Sequence, residues 1–317
     1  MACSQIEHSP EVLVRLLGES EWYVGLRGGI GDHAVILLAK AGSLCNIQLL
    51  PTHVEHAPFP DDCRVVVCHS GVAAEKSAGA KNTYNERVAG YGIGLAWLRR
   101  KFAAQMQNVD RFRDLHPAKM GVSLRELYRM LASLPVRATR SELEAALPED
   151  ADALAELYAT HEPYPEGYRL RGVCLYGAAE CERSRRALAC LRASDVAAFG
   201  RLMDLSHDGD RVLAPDGRPH HADIGDEAME KLADAAREER PAAALHLQTG
   251  AYAASCPELD ALVDSARSVD GVLGAGLVGA GLGGCVSVLA PAGKVDELID
   301  TVLREYFTPR RLRCKTD

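Results

Sequence analysis

The chain has 317 residues and a mass of 34.1 kDa, a length that suits roughly two domains. With 47% hydrophobic and 25% charged residues it has the composition of a folded globular protein, which excludes wholesale disorder. Its 36 Lys plus Arg against 44 Asp plus Glu give a formal charge of -8 and a pI near 5.8, the opposite of the basic surplus that a nucleic-acid binder needs.

The first residues carry acidic side chains and no basic stretch ahead of an apolar run, so no secretory signal is expected. They read as a helix up to about Gly18, then extended through Glu21-Trp22-Tyr23-Val24, with a break at Gly25. A glycine-rich turn, Arg27-Gly28-Gly29-Ile30-Gly31, leads to Asp32 and a helix from His33 to Lys40 that ends at Gly42. Residues 43 to 50 alternate like a strand. Pro51 to Asp62, with Pro51, Pro58 and Pro60, has the composition of a linker and sets a domain boundary there: 1–62 and 63–317.

Arg64-Val65-Val66-Val67-Cys68 is a β-branched run of the kind that fills a buried strand. A helix is predicted over Lys81 to Phe102, and residues 122 to 240 have helical spacing throughout. Capping boxes are expected at Ser123 with Glu126, Ser141 with Glu144 and Ser255 with Glu258. Gly271 to Ala290 is uncharged and long enough to span a membrane, yet seven of its residues are glycine, each costing a helix roughly 1 kcal/mol relative to alanine. Strand, glycine turn, strand is the reading that follows, with a final helix over Lys294 to Phe307 and no membrane contact.

The ten cysteines contain no CxxC pair and read as free thiols of a reducing cytosol, which places the protein in the cytoplasm. The histidines show no metal spacing, and neither G-x-S-x-G nor G-x-x-x-x-G-K-[ST] occurs. G-x-G-x-x-G does occur, at Gly274, Gly276, Gly279 and again at Gly279, Gly281, Gly284. A dinucleotide site would need a helix directly after it, however, and Cys285-Val286-Ser287-Val288-Leu289 reads as a strand. A tight hairpin accounts for the spacing. Cys256 and Cys285 read as small core residues rather than nucleophiles. Asp32, at a helix start, can serve as an ordinary N-cap or as a carboxylate held ionised by the helix dipole. The glycines just before it favour a ligand approaching the backbone. His33 beside it has no assigned role.

Three segments together resemble the galactokinase branch of the GHMP small-molecule kinases. Tyr23-Val24-Gly25 through Gly29-Ile30-Gly31-Asp32-His33 is similar to the family's stretch ending in Gly-Ile-Met-Asp-Gln. Cys68-His69-Ser70-Gly71-Val72 with Asn82-Thr83-Tyr84-Asn85-Glu86-Arg87 is similar to its strand and Tyr-Asn-x-Arg helix. Ser255-Cys256-Pro257-Glu258-Leu259-Asp260 followed by Gly279-Ala280-Gly281-Leu282-Gly283-Gly284-Cys285 is similar to its third motif, Gly-Ala-Gly-Phe-Gly-Gly-Cys. Gly31, His33 and Leu282 stand where the family has Met, Gln and Phe.

The family's first motif, Gly-Arg-x-Asn-x-Ile-Gly-Glu-His, and its second, Pro-x-x-x-Gly-Leu-Ser-Ser-Ser-Ala, do not occur in the string. The resemblance therefore implies an α+β, two-domain GHMP kinase fold. Its N-terminal domain would be incomplete (1–62), and its C-terminal domain (63–317) would be ferredoxin-like with helical insertions. By the same resemblance the activity is ATP- and Mg2+-dependent phosphorylation of galactose or a relative such as N-acetylgalactosamine or arabinose at the anomeric hydroxyl, with the isolated chain possessing little activity of its own. Asp32 would be the catalytic carboxylate. Gly29 would approach the sugar through its backbone, and Tyr84 would contact sugar hydroxyls. Gly279, Gly281, Gly283 and Gly284 would lie beside the phosphates, with no metal-ligating side chain assigned. The alternative is a non-catalytic sugar-binding or regulatory relative.

Overall fold

The computed structural model of the chain describes residues 8–21, 23, 30–48, 51–73 and 79–312. Helix α1 (Pro10–Glu21) runs through Gly18, three residues past its predicted end. Trp22 and Val24 of the predicted extended stretch, and Gly25 at its predicted break, lie outside the described residues. Helix α2 (Gly31–Leu38) packs on α1, and Gly42, at φ +67°, turns the chain into β1 (Ser43–Gln48).

The predicted linker contains a strand. β2 (His53–Pro58) pairs antiparallel with β1, from Ser43 opposite Pro58 to Gln48 opposite His53. The prolines do not interrupt this ladder: Pro51 lies in the turn, Pro58 ends the strand and Pro60 follows it.

β3 (Cys63–His69) is the edge of a three-stranded antiparallel sheet of order β3-β5-β4, with β4 (Gly274–Leu277) and β5 (Cys285–Pro291). The register runs from Cys63 opposite Pro291 to His69 opposite Cys285. β3 is not the fully buried strand its sequence predicts. Val66 and Cys68 face the core, whereas Val65 and Val67 are 49% and 63% exposed.

The long helix α3 (Gly79–Lys101) matches its predicted span to within two residues. After it come α4 (Pro117–Met120), α5 (Leu124–Ala132), α6 (Arg140–Ala146), α7 (Ala151–Tyr158), α8 (Leu170–Arg192), α9 (Val196–Asp210) and α10 (Asp226–Arg237). α11 (Pro257–Arg267) precedes the β4–β5 hairpin, and α12 (Val295–Val302) continues into a π-helical turn, Leu303–Phe307.

Of the three expected caps, Ser123 forms its box with Glu126. The second box uses Thr139 and Glu142 instead of Ser141 and Glu144. At the third, Pro257 occupies the first helical turn, which places Cys256 at the cap; Ser255 is buried one residue earlier.

Several apolar cores hold these elements, one of them joining α3, α6, α7 and α8 through Ile93, Leu143, Leu154 and Leu170. Leu98, Leu127, Leu131, Cys174, Leu175 and Met229 join α3, α5, α8 and α10. Leu259, Leu262 and Val263 of α11 close over Val286 and Val288 of β5 with Leu298, Val302 and Tyr306. The β1–β2 hairpin rests on α8 through Leu44 and Ala57 against Leu188 and Leu191. Asn46 Nδ2 donates to the Ser184 carbonyl at 2.9 Å in the same contact. α9 covers the other side of β4, where Arg267 binds Asp208 (2.7 Å) and the Ala275 carbonyl (2.9 Å) while Asp204 accepts from the Ala275 N–H.

Candidate functional site

The glycine turn between β4 and β5 is built almost entirely in the left-handed region. Gly279 (φ +80°), Gly281 (+74°), Leu282 (+62°), Gly283 (+132°) and Gly284 (+85°) lie there, a run that residues with side chains adopt only at a cost. The turn is anchored on two sides. On one side, Leu282 N–H donates to the Ala254 carbonyl at 2.7 Å, and a Cβ on Gly281 would collide with that same oxygen. On the other, Gly284 N–H donates to the Val72 carbonyl and Ser70 N–H donates to the Gly284 carbonyl, both at 2.8 Å. The Tyr306 hydroxyl donates to the Ser70 carbonyl at 2.6 Å and fixes the end of β3 beneath the turn.

Residues 250–255, which carry Ala254, thread between helix ends. Tyr252 and Ala253 N–H both donate to the Gly209 carbonyl, Ser255 N–H to that of Asp210, and Ala251 N–H to that of Gly172. The Tyr252 ring stacks on Tyr176 at 4.8 Å and on Tyr91 at 6.0 Å. Burial, with Tyr84 and Asp210 nearby, pushes the Tyr252 phenol up.

Tyr176 donates to Asp210 at 2.8 Å, and burial raises the Asp210 carboxyl to about 7 against the lowering effect of that bond. Arg87 of α3 donates from Nε to the Tyr252 carbonyl at 2.6 Å and pairs with the buried Glu86, whose carboxyl burial raises. Tyr84 is half-buried one turn earlier on α3, beside Thr83, which bonds the Tyr164 hydroxyl at 2.7 Å.

The structure thus joins the second and third motif-like segments at Gly284, Ser70 and Val72, and places Tyr84 next to Tyr252. Asp32 is exposed in the first turn of α2, with Ile30 at the cap position, so it is not the N-cap. α2 packs on α1 and β1, and its Leu38 carbonyl lies 3.0 Å from His56 Nε2. Gly29 lies outside the described residues. Sequence reasoning missed Tyr252 to Ala254, which position the turn. Their signal is faint, since Ala253 adopts φ +54° without being glycine. Among the described residues no three His, Cys, Asp or Glu side chains are grouped so as to hold a metal ion, and no helix is long and apolar enough to cross a membrane.

Residues 226–308 match the family described as GHMP kinases C terminal. The chain is 27% identical over 296 residues to a galactokinase of Chloroflexus aggregans, covering 93% of this chain and 54% of that protein. It is 24% identical to a galactokinase of Dictyostelium discoideum over 96% of this chain and 58% of that one. A 127-residue stretch, 40% of this chain and 23% of the relative, is 32% identical to a human galactokinase. The chain therefore spans little more than half the length of the first two. Among solved structures, Lactococcus lactis galactokinase complexed with galactose superposes with a TM-score of 0.60 at 19% identity, over 96% of this chain and 58% of that one. The fold is that of the GHMP kinases, residues 226–308 match that family's C-terminal domain, and over most of its length the chain is similar to galactokinases.

Proposed function

We propose that the protein takes part in ATP-dependent phosphorylation of a galactose-like sugar at its anomeric hydroxyl, in the cytoplasm. The reading is supported above all by the junction of the glycine turn with Ser70 and Val72, which brings two motif-like segments into one hydrogen-bonded unit. In this reading Asp32 accepts the anomeric proton, the anomeric oxygen forms a bond to the γ-phosphorus, the bond to the β-phosphate oxygen breaks and ADP leaves. Tyr84 and the Gly29 backbone orient the sugar. The backbone of Gly279, Gly281, Gly283 and Gly284 borders the phosphates. Mg2+ would supply charge neutralisation to the triphosphate with which it arrives.

The test is coupled ADP release with ATP, Mg2+ and, in turn, galactose, N-acetylgalactosamine and arabinose. It uses the chain fused behind a segment bearing the family's first two motifs. Sugar-dependent release that falls on the order of a hundredfold in Asp32→Asn is expected. A variant within about threefold of its parent would remove Asp32 from the role. Sugar binding without any sugar-dependent ADP release would favour the non-catalytic reading.

A further inference from the structure

Three arginines from distant parts of the sequence line a cavity of about 160 Å3: Arg137 between α5 and α6, Arg169 at the N-cap position of α8, and Arg211 directly after α9. His220 and His221 close its wall. These cations are unequally neutralised. Arg211 makes two bonds to Asp264, at 3.0 and 2.7 Å, and is matched. Arg137 meets Glu166 only at 4.0 Å, in a largely exposed pair. Arg169 is half-buried, and its side chain makes no hydrogen bond or ion pair among the described residues.

Burial, followed by the positive charges of Arg87 and Arg137, holds the Arg169 guanidinium below its ordinary pKa, against the opposing pull of Glu86 and Glu166. Glu86 is itself committed to Arg87. A half-buried guanidinium facing like charge is a cost to the fold that a bound anion would cancel. The positive end of the 23-residue α8 begins at the same point and adds to the field. A larger cleft of about 670 Å3 adjoins the cavity, and the two share His220, Ala222, Ile224 and Gly250 in their walls. Leu175, Met229 and Leu232 give that cleft apolar wall.

We propose that the arginine cavity binds the phosphoryl group of a small organic phosphate, with Arg137 and Arg169 as the contacting side chains and the adjoining cleft holding the organic body. A phosphate dianion matches two incompletely neutralised guanidinium forks, whereas a single carboxylate would leave one charge unmatched. None of Asp32, Tyr84 or the glycine turn lines the cavity, though Ala251 and Ala253 of the segment that positions the turn do, with Gly209, so titration without ATP or Mg2+ separates the proposal from the kinase reading.

Calorimetric titration at low ionic strength, without ATP or Mg2+, tests it with inorganic phosphate, glucose 6-phosphate, glucose and acetate. Inorganic phosphate should bind, glucose 6-phosphate should bind more tightly, and glucose and acetate should not bind measurably. Arg169→Gln and Arg137→Gln should each weaken phosphate binding by roughly tenfold or more, while the surface variant Arg129→Gln leaves it unchanged. Should Arg169→Gln fail to fold by circular dichroism, Arg137→Gln decides, since its side chain is 41% exposed. No phosphate binding by the parent, or undiminished binding in Arg137→Gln, would overturn the site. Acetate binding as tightly as phosphate would overturn the phosphoryl assignment, and equal affinity for the two phosphates would remove the cleft from it.

Discussion

Gly281 and Gly284 sit in one turn under different constraints. Both have positive φ, but a Cβ at Gly281 meets the Ala254 carbonyl, while at Gly284 it meets open space. Gly284→Ala should therefore cost about 1–2 kcal/mol, the left-handed penalty alone, and Gly281→Ala at least about 3 kcal/mol, because a backbone oxygen must also move. Urea unfolding midpoints that fall equally in the two variants would refute the steric difference.

Asp210 is a second case where one atom's surroundings decide. Its folded-state pKa is about 7 against an ordinary 3.8, so between those values the folded protein holds a proton that the unfolded chain has released. Stabilisation by that proton is complete below pH 3.8 and is lost as pH rises through 7. Asp210→Asn cannot titrate, so the parent's stability relative to this variant should decline across that window. A difference independent of pH would show an unperturbed carboxyl. At this scale the glycines were legible because positive φ leaves a compositional mark. Leu282, at φ +62°, leaves none, and Thr139 won over Ser141 because Thr-x-x-Glu and Ser-x-x-Glu overlap two residues apart.

Helices were more legible than strands, for a reason visible at α3 and α8. Each runs for 23 residues, so a misread residue or two shifts only the ends. Where the two helices meet, Gly94 of α3 abuts Cys174 of α8 closely enough that a Cβ at Gly94 would collide with the Cys174 Sγ. Gly94→Ala should cost about 1–3 kcal/mol by overpacking, and in a Cys174→Ala background the cost should shrink by at least about 0.5 kcal/mol. Additive losses in that double-mutant cycle would show that the helices do not depend on this contact.

Short strands carry no such redundancy. Val65-Val66-Val67 is apolar on both faces, so the run could not show that one face of β3 is left open. β2 was hidden by its flanking prolines: Pro51 lies in the turn before it, Pro58 forms the last pair of its ladder and Pro60 follows it.

The molecule's two largest cores lie around α8 and β5, and the residues that join them lie far apart in sequence: the Arg87 side chain and the Gly209 carbonyl both bond Tyr252, and Leu282 bonds Ala254, contacts that no local pattern encodes. The family resemblance was nonetheless legible, because its motifs record backbone geometry that tolerates few substitutions.

The same scale sets what the 317 residues should do alone. Phosphoryl transfer depends on donors and positive charge fixed around the transferred group, and the family's motifs for that purpose do not occur in the string. A carboxylate at Asp32 could take the sugar's proton but would leave the larger electrostatic contribution unmet. The exposed Val65 and Val67 on an edge strand also give this chain a surface on which copies can pair. The purified chain alone should therefore release ADP with no dependence on galactose, N-acetylgalactosamine or arabinose, and should self-associate by analytical ultracentrifugation. Val65→Lys with Val67→Lys should lessen the association without loss of helical signal. Sugar-dependent turnover near 1 per second, an ordinary enzyme rate, would show that these 317 residues supply that charge themselves, and a monomer at all concentrations would show that the open face of β3 is not adhesive.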